Sequence, residues 1–231
     1  GIHVGLCIDP TEGFYPHEQY YKQASEFLGV TNNKIILFDP LNPKILDVWF
    51  KAFLHPLENY GIDFFWNDYR GSSDPTNLWI TNHYLYLDSG RNSAKRSMIL
   101  ARNGIYAPHL YPILYGGSSE VSWDALKNLP FQYLNAANIG VSWWSHDVGG
   151  NHGGIEESEL YIRYLELSVY SPMLRFHGAR GPYYKREPWL WDVKTESIAA
   201  DYLRLRHRLI PYLYTEAYNY TKSGIPLIQP F

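Results

Sequence analysis

Residues 61–70 read GIDFFWNDYR, an apolar run that ends abruptly in an amide and a carboxylate. Residues 63–67 have the length and aromatic content of a buried strand, and Asp68 follows at its carboxyl end. The pattern recurs along the chain: Asp9, Arg102 and the Ser-His-Asp triplet at residues 145–147 each end or follow another apolar run. It predicts repeated units whose polar side chains lie where each strand stops.

Short strand-like runs alternate with longer helical stretches, which is typical of parallel βα units. The predicted strands are residues 2–8, 63–67, 97–102, 111–115, 139–144 and 173–176. The predicted helices are residues 19–27, 43–60, 123–136, 158–170 and 195–223, with a long functional loop containing some helix at residues 71–92.

Six βα units fit either an open doubly wound sheet or most of a (β/α)8 barrel. No glycine-rich phosphate motif follows any predicted strand. In a barrel, the polar strand ends would converge on one face. We therefore predict an α/β fold with an incomplete (β/α)8 TIM barrel.

The composition disfavours several classes of binding partner. The 20 Lys and Arg residues are scattered among 23 Asp and Glu, which argues against nucleic acid, and the apolar runs are far shorter than a membrane span. The single cysteine, Cys7, cannot form an internal disulfide or a thiolate zinc site, and it favours the cytoplasm. Aromatic residues make up 17% of the chain; Tyr and Trp suit a sugar ring, or they simply fill a core.

Two clusters of charged residues carry candidate chemistry. Asp68, beside Trp66 and close to Arg70, is suited to be a nucleophile, because a nearby cation keeps a carboxylate ionised. Alternatively, Asp68 caps the next turn or pairs with Arg70. Farther along, alternation on a strand would point Arg175 and His177 to the same side. His177 then either donates to a substrate hydroxyl or has a structural role.

A third cluster, WWSHDVGGNHGG, occupies residues 143–154, where four glycines within six residues force an irregular loop. Asp147 precedes that loop and can offer two acceptor oxygens to neighbouring sugar hydroxyls. The alternative is a metal site made of His146, Asp147 and His152. The lack of further cysteines and of a helical HExxH motif disfavours a metal.

These motifs together resemble the catalytic barrel of glycoside hydrolase family 31, which contains α-glucosidases, α-xylosidases and related transglycosidases. The segments that carry the resemblance are residues 39–40, 61–68, 143–150, 171–177 and 203–214. The resemblance implies that residues 1–231 are a partial catalytic (β/α)8-barrel domain with about six of the eight βα units. The first two strands and a β-sandwich would precede Gly1, and β-domains would follow Phe231.

The resemblance also implies roles for individual residues. Asp68 falls on the catalytic nucleophile of a retaining double displacement, which needs a second carboxyl about 5 Å away as acid and then as base. Asp147 and His177 match residues that hold sugar hydroxyls. The residues expected to bind substrate are Trp66, Arg102, Trp144, Asp147, Arg175 and His177.

The sequence departs from the family where the acid/base aspartate aligns with Ser118, because a hydroxyl does not ionise near neutral pH. Three alternatives follow. Glu120 supplies the proton; the acid comes from another loop or an activated leaving group needs none; or the chain binds sugar without efficient hydrolysis. Tyr69-Arg70 also stands where many members carry Met-Asn-Glu, and Leu110 stands where many members have Arg.

We therefore expect an α-glycosidase of the α-glucosidase or α-xylosidase type, with Asp68 as nucleophile. Its substrate would be a small oligosaccharide or glycoside, without a metal or organic cofactor, and transglycosylation is a near variant. The alternative is a non-catalytic carbohydrate-binding pseudoenzyme, because of Ser118. A metal-dependent sugar isomerase on the same barrel is a third class.

Overall fold

The computed structural model describes residues 1–31, 33–70, 74–93, 95–102, 106–111, 113–181 and 184–229. The chain divides into two compact units, Gly1–Pro112 and Ile113–Phe231. Among the helices in the described ranges, none is both long and apolar enough to span a bilayer.

The described part of the first unit contains three parallel strands, β1 (Gly5–Ile8), β2 (Phe64–Asn67) and β3 (Ile99–Arg102). β2 lies between the other two, so that Trp66 is opposite Cys7 on one side and Leu100 on the other. Each strand ends at the residue predicted from the sequence. The polar side chains at these strand ends consequently lie along one edge of the three-stranded sheet.

The helices of the first unit are α1 (Tyr21–Leu28), α2 (Pro43–Val48), α3 (His55–Asn59) and α4 (Pro75–Ser89). The helix predicted at residues 43–60 is confirmed, with a π-helical turn at Trp49–Leu54 joining α2 to α3. Asn42 starts it by accepting a hydrogen bond from the backbone N–H of Lys44 at 3.0 Å.

The prediction of a long loop at residues 71–92 is wrong for most of its length, because α4 occupies it. The Asp74 side chain accepts a hydrogen bond from the backbone N–H of Thr76 at 2.8 Å. Pro75 suits the first helical turn, where its missing N–H leaves no bond unmade. An Asp-Pro pair thus starts a helix inside a polar segment; Gly71–Ser73 lie outside the described residues.

In the described part of the second unit, β4 (Ile113–Tyr115) pairs in parallel with β5 (Trp144–Ser145). The strand predicted at residues 139–144 is wrong except at its last residue. Residues 139–141 instead close the preceding helix, since the backbone N–H groups of Gly140 and Val141 donate to the carbonyls of Ala137 and Ala136.

The helices of the second unit are α5 (Trp123–Asn138), α6 (Ser158–Ser168), α7 (Val193–Arg208) and α8 (Ile210–Ser223). α5 and α6 confirm the predictions for residues 123–136 and 158–170. The single helix predicted at residues 195–223 is wrong, because the helix breaks at Leu209. Pro211, the second residue of α8, lacks an N–H, and its ring crowds the carbonyl four residues earlier.

The sixth predicted strand, residues 173–176, is also wrong: these residues form an irregular segment. Side chains bind backbone carbonyls at the start of this segment and just before it. The Ser171 hydroxyl donates to the carbonyl of Met173 at 2.7 Å, and Arg206 donates to the carbonyls of Ser171 and Pro172 at 2.5 and 2.9 Å. Without a strand, simple alternation no longer determines where Arg175 and His177 point.

Candidate active site

The nucleophile candidate Asp68 follows β2 directly. Its backbone N–H donates to the carbonyl of Ile8 at 2.9 Å, which extends the pairing of β1 and β2 by one residue. Its side chain is 15% exposed, and Oδ1 accepts a hydrogen bond from Nη1 of Arg102 at 2.7 Å. Nε of Arg70 lies 3.8 Å from Oδ2. Two guanidinium groups thus lie within 4 Å of the carboxylate, one at each of its oxygens.

Arg70 makes its shorter contacts with Asp9, a pairing that local sequence did not indicate. Nε and Nη2 of Arg70 donate to Oδ2 of Asp9 at 3.2 and 2.9 Å, and this hydrogen bonding raises the pKa of Arg70. Arg102 is therefore the nearer cation to Asp68, and Arg70 is shared between two carboxylates. A cavity of about 550 Å³ beside this pair is lined by Asp9, Thr11, Glu12, Gly13, Tyr15, Glu18 and Arg70.

Residues on β2 alternate between two environments. Trp66 is half-buried, whereas Asn67 is fully buried. Nδ2 of Asn67 donates to Oδ1 of Asn82 in α4 at 2.7 Å, and Oδ1 of Asn67 accepts from the backbone N–H of Tyr69 at 3.3 Å. Asn67 therefore holds the turn that carries Asp68 against α4, a supporting role that the sequence did not reveal.

In the second unit, Asp147 is only 1% exposed and is surrounded by donors. Oδ1 accepts from Nη2 of Arg175 at 2.6 Å, and Oδ2 accepts from Nδ2 of Asn151 at 2.9 Å and from the Tyr115 hydroxyl at 3.3 Å. The Arg175 guanidinium also lies over the Tyr115 ring, 4.2 Å from its centroid. Both carboxylate oxygens of Asp147 thus have hydrogen-bond partners within the protein.

His146 is buried and uses both ring nitrogens. The Ser168 hydroxyl donates to the carbonyl of Tyr164 at 2.5 Å, so it accepts from Nε2–H of His146 at 2.9 Å. Nδ1 then accepts from the Tyr133 hydroxyl at 2.5 Å. Burial lowers the pKa of His146 to about 3, so the ring is neutral. These bonds describe a structural histidine, and within the described residues no three His, Cys, Asp or Glu side chains gather as metal ligands.

The glycine-rich loop packs against residues 119–121 along its backbone. The Ser119 carbonyl accepts from the N–H groups of Asn151 and His152 at 2.8 and 3.2 Å, and the Val121 carbonyl accepts from Ile155 at 3.0 Å. A Cβ on Gly154 would lie 1.9 Å from the Val121 carbonyl oxygen. The loop is irregular as predicted, and close backbone approach is the reason for glycine at position 154.

Ser118 and Glu120 stand on the segment between β4 and α5, and both are exposed. Oγ of Ser118 is 3.0 Å from the Tyr115 hydroxyl. Glu120 is held at its backbone by a parallel bridge to His152. Its carboxylate lies beside the loop, with Oε1 3.7 Å from where a Cβ on Gly153 would stand.

Arg186 is a buried cation that the sequence did not single out. It is 8% exposed, and burial lowers its pKa. Nη2 donates to the carbonyl of Gly150, and Nε donates to the carbonyl of His177 at 3.3 Å. Arg186 therefore ties the glycine-rich loop to the segment that carries His177. Trp144 is half-buried on β5, and its ring lies directly over Gly116.

The motifs on both units belong to one matched domain. Residues 8–216 match the TIM-barrel domain of glycosyl hydrolases family 31. The chain belongs to glycoside hydrolase family 31. Family membership confirms the resemblance seen in the sequence and the prediction of a partial TIM barrel.

Several family 31 proteins are similar to this chain. An α-xylosidase of Saccharolobus solfataricus is 26% identical over 100% of this chain and 34% of that protein. Neutral α-glucosidase C of Mus musculus is 26% identical over 83% of this chain and 24% of that protein. A solved structure of a cycloalternan-degrading enzyme from Trueperella pyogenes superimposes with a TM-score of 0.83 at 19% identity, over 99% of this chain and 39% of that one. The chain thus spans about a third or less of these curated relatives.

Within each unit, the structure brings together residues that the family resemblance predicts for the site. Arg102 contacts Asp68 in the first unit, and Arg175 contacts Asp147 in the second. Ser118 joins the second group through Tyr115, a link that local sequence could not show. The roles of these residues toward a sugar stay predictions.

Proposed function

We propose that the protein is a retaining α-glycosidase of the α-glucosidase or α-xylosidase type, with Asp68 as its nucleophile. The observation that carries the proposal is the Asp68 carboxylate at the end of β2, 15% exposed and bound by Arg102 at 2.7 Å, in a family 31 chain. Relatives named α-xylosidase and α-glucosidase support the substrate type. The substrate is a small α-linked oligosaccharide or glycoside.

The contacts of Asp68 suggest which oxygen attacks. Oδ1 is bound by Arg102 at 2.7 Å, whereas Oδ2 has Arg70 only at 3.8 Å. Oδ2 is therefore the less firmly held oxygen and forms the bond to the anomeric carbon. The leaving oxygen departs with its electron pair, and water or a sugar hydroxyl then displaces Asp68 from the covalent intermediate. Hydrolysis and transglycosylation differ only in that second acceptor.

The second unit supplies groups suited to hold a glycosyl ring. Asp147 and Arg175 offer a carboxylate and a guanidinium, and His177 offers an imidazole. Within the described residues, the buried indole N–H of Trp144 has no acceptor, so a sugar hydroxyl could take that place. This chemistry uses side chains alone and calls for no metal or organic cofactor.

The test is nitrophenol release from 4-nitrophenyl α-D-glucoside and α-D-xyloside by the full-length protein. We expect Asp68→Ala to lower kcat/KM by at least about 10³-fold, because the covalent step loses its nucleophile. Asp201→Ala is the matched control, since Asp201 is 76% exposed and, among the described residues, forms its ion pair with Arg204 on α7. Wild-type turnover in Asp68→Ala would refute the proposal. No release from either glycoside, together with a sugar-induced rise in Tm, would replace it with carbohydrate binding.

A further inference from the structure

The segment that follows β2 is hydrogen-bonded to the turn that follows β1, within the first unit. The backbone N–H of Asp68 donates to the carbonyl of Ile8 at 2.9 Å, and the backbone N–H of Arg70 donates to Oγ1 of Thr11 at 2.9 Å. The backbone of Arg70 is thereby held beside residues 9–11. The position of its guanidinium group depends on a further contact.

That contact is the Asp9 carboxylate, whose two oxygens bind different residues. Oδ1 accepts from the backbone N–H of Thr11 at 3.1 Å and also from the Thr11 hydroxyl. Oδ2 accepts from Nε and Nη2 of Arg70 at 3.2 and 2.9 Å. Asp9 is therefore fixed by its own turn, and it binds the Nε/Nη2 edge of the guanidinium group.

These contacts direct Arg70 away from the oxygen that attacks in the proposed reaction. Nε of Arg70 lies 3.8 Å from Oδ2 of Asp68, beyond hydrogen-bond distance, because its N–H points to Asp9. Arg102 binds the other oxygen of Asp68, Oδ1, at 2.7 Å. The Arg70 side chain is 61% exposed, so packing alone does not fix its guanidinium group. Its bond to Asp9 is what keeps it from Oδ2.

We propose that Asp9 is a positioning residue for the nucleophile: by binding Arg70, it keeps Oδ2 of Asp68 available to attack the anomeric carbon. Without the Asp9 carboxylate, the same guanidinium group would hydrogen-bond to Oδ2. A lone pair of Oδ2 would then be occupied, and that hydrogen bond would have to break before attack. This inference rests on the proposed function of Asp68.

The rival explanation is that Asp9 only shapes its own turn, because Oδ1 also binds Thr11. Asn at position 9 would retain the Oδ1 acceptor and hence the turn, but it would present an amide N–H₂ to the donors of Arg70. Glu has the reverse properties, because it keeps a carboxylate for Arg70 but is one methylene too long for the same turn. The two explanations therefore predict opposite orders for these substitutions.

The first experiment measures nitrophenol release from 4-nitrophenyl α-D-glucoside and α-D-xyloside by the full-length protein. The quantity compared is kcat/KM, which includes formation of the covalent intermediate. We expect Asp9→Asn to lower kcat/KM by about 10–10²-fold, the cost of breaking one hydrogen bond to a charged group before attack. Asp9→Glu should stay closer to the wild type than Asp9→Asn.

The second experiment adds Arg70→Met to Asp9→Asn. Methionine has no N–H to bind Oδ2 of Asp68, while the backbone N–H at position 70 still reaches Thr11. We expect the double variant to recover most of the kcat/KM that Asp9→Asn loses. Damage to the turn, in contrast, would not be repaired by removal of a second side chain.

Asp39→Asn is the matched control. Asp39 also precedes a proline, and its Oδ1 accepts from the backbone N–H of Leu41 at 2.9 Å, as Oδ1 of Asp9 accepts from Thr11. No arginine binds Asp39 among the described residues. We therefore expect Asp39→Asn to retain the kcat/KM of the wild type.

Asp9→Glu slower than Asp9→Asn, or no recovery in the double variant, would assign Asp9 to its turn alone and overturn the inference. Wild-type kcat/KM in Asp9→Asn would overturn it too, as would loss of the cooperative urea transition in Asp9→Asn while Asp39→Asn still folds. In each of these cases an inactive Asp68→Ala would still uphold the proposed function. Equal turnover in wild type and Asp68→Ala would refute the proposed function, and the inference would fail with it.

Discussion

His146 shows how one buried side chain can set a pH dependence. Its pKa is lowered from 6.5 to about 3 by burial and by Arg175, whereas in the unfolded chain it returns to 6.5. Below pH 6.5 the unfolded state therefore takes up a proton that the folded state does not. The contribution of the neutral His146 to the free energy of unfolding is therefore fully present above pH 6.5. It is lost progressively as the pH falls toward 3.

We expect the free energy of unfolding to fall between pH 7 and pH 5 by about 2 kcal/mol more in the wild type than in His146→Gln. Urea denaturation at the two pH values measures the difference, so a constant cost of the substitution cancels. His152→Gln, at an exposed position, is the control. Equal pH dependence in wild type and His146→Gln would contradict a neutral buried imidazole.

The Asp147–Arg175 pair is a second test at the scale of single residues. The two side chains are 0% and 14% exposed, so Arg175→Ala leaves a buried carboxylate without its cation. We expect a cost of about 3–5 kcal/mol by urea denaturation. Arg204→Ala removes an exposed pair with Asp201 and should cost less than about 1 kcal/mol. Similar costs for both variants would show that Asp147 is not dependent on Arg175.

At the scale of elements, two adjacent glycines of the glycine-rich loop differ in what an added side chain would meet. Gly153 and Gly154 both have positive φ, +56° and +75°, so alanine is strained at either. Only at Gly154 would the Cβ meet backbone, 1.9 Å from the Val121 carbonyl oxygen; at Gly153 it meets only the flexible Glu120 side chain.

We expect Gly153→Ala to cost about 1 kcal/mol and Gly154→Ala at least about 2 kcal/mol more. Thermal unfolding of both variants measures the difference. A Gly154→Ala variant as stable as Gly153→Ala would mean that the loop does not pack against residues 119–121 as described.

Local sequence predicted well those elements whose ends are marked by residues adjacent in the chain. β1, β2 and β3 end at the predicted residues, because an apolar run followed by a polar residue marks a strand end. Residues 173–176 form no strand, and the carbonyls of Ser171 and Pro172 just before them bind Arg206 of α7, a contact that local sequence does not show. α4 was missed because polar composition concealed the start signal at Asp74.

At the scale of the whole chain, the family match over residues 8–216 includes sequence from both compact units. The similarity to an α-xylosidase of Saccharolobus solfataricus, 26% identity, likewise extends over 100% of the chain. The chain covers 34% of that relative, so the proposed activity is a property to measure on the full-length protein.

The sequence by itself determined the family, the ends of β1, β2 and β3 and the position of Asp68 after β2, because each depends on residues that are neighbours in the chain. Tertiary structure decided which partner each charge takes. Arg102 reaches Asp68 across 34 residues, Arg175 reaches Asp147 across 28, and Tyr115 reaches Asp147 across 32. Electrostatic and hydrogen-bond energies depend on distances of a few ångströms in space, and only folding brings such separated groups that close.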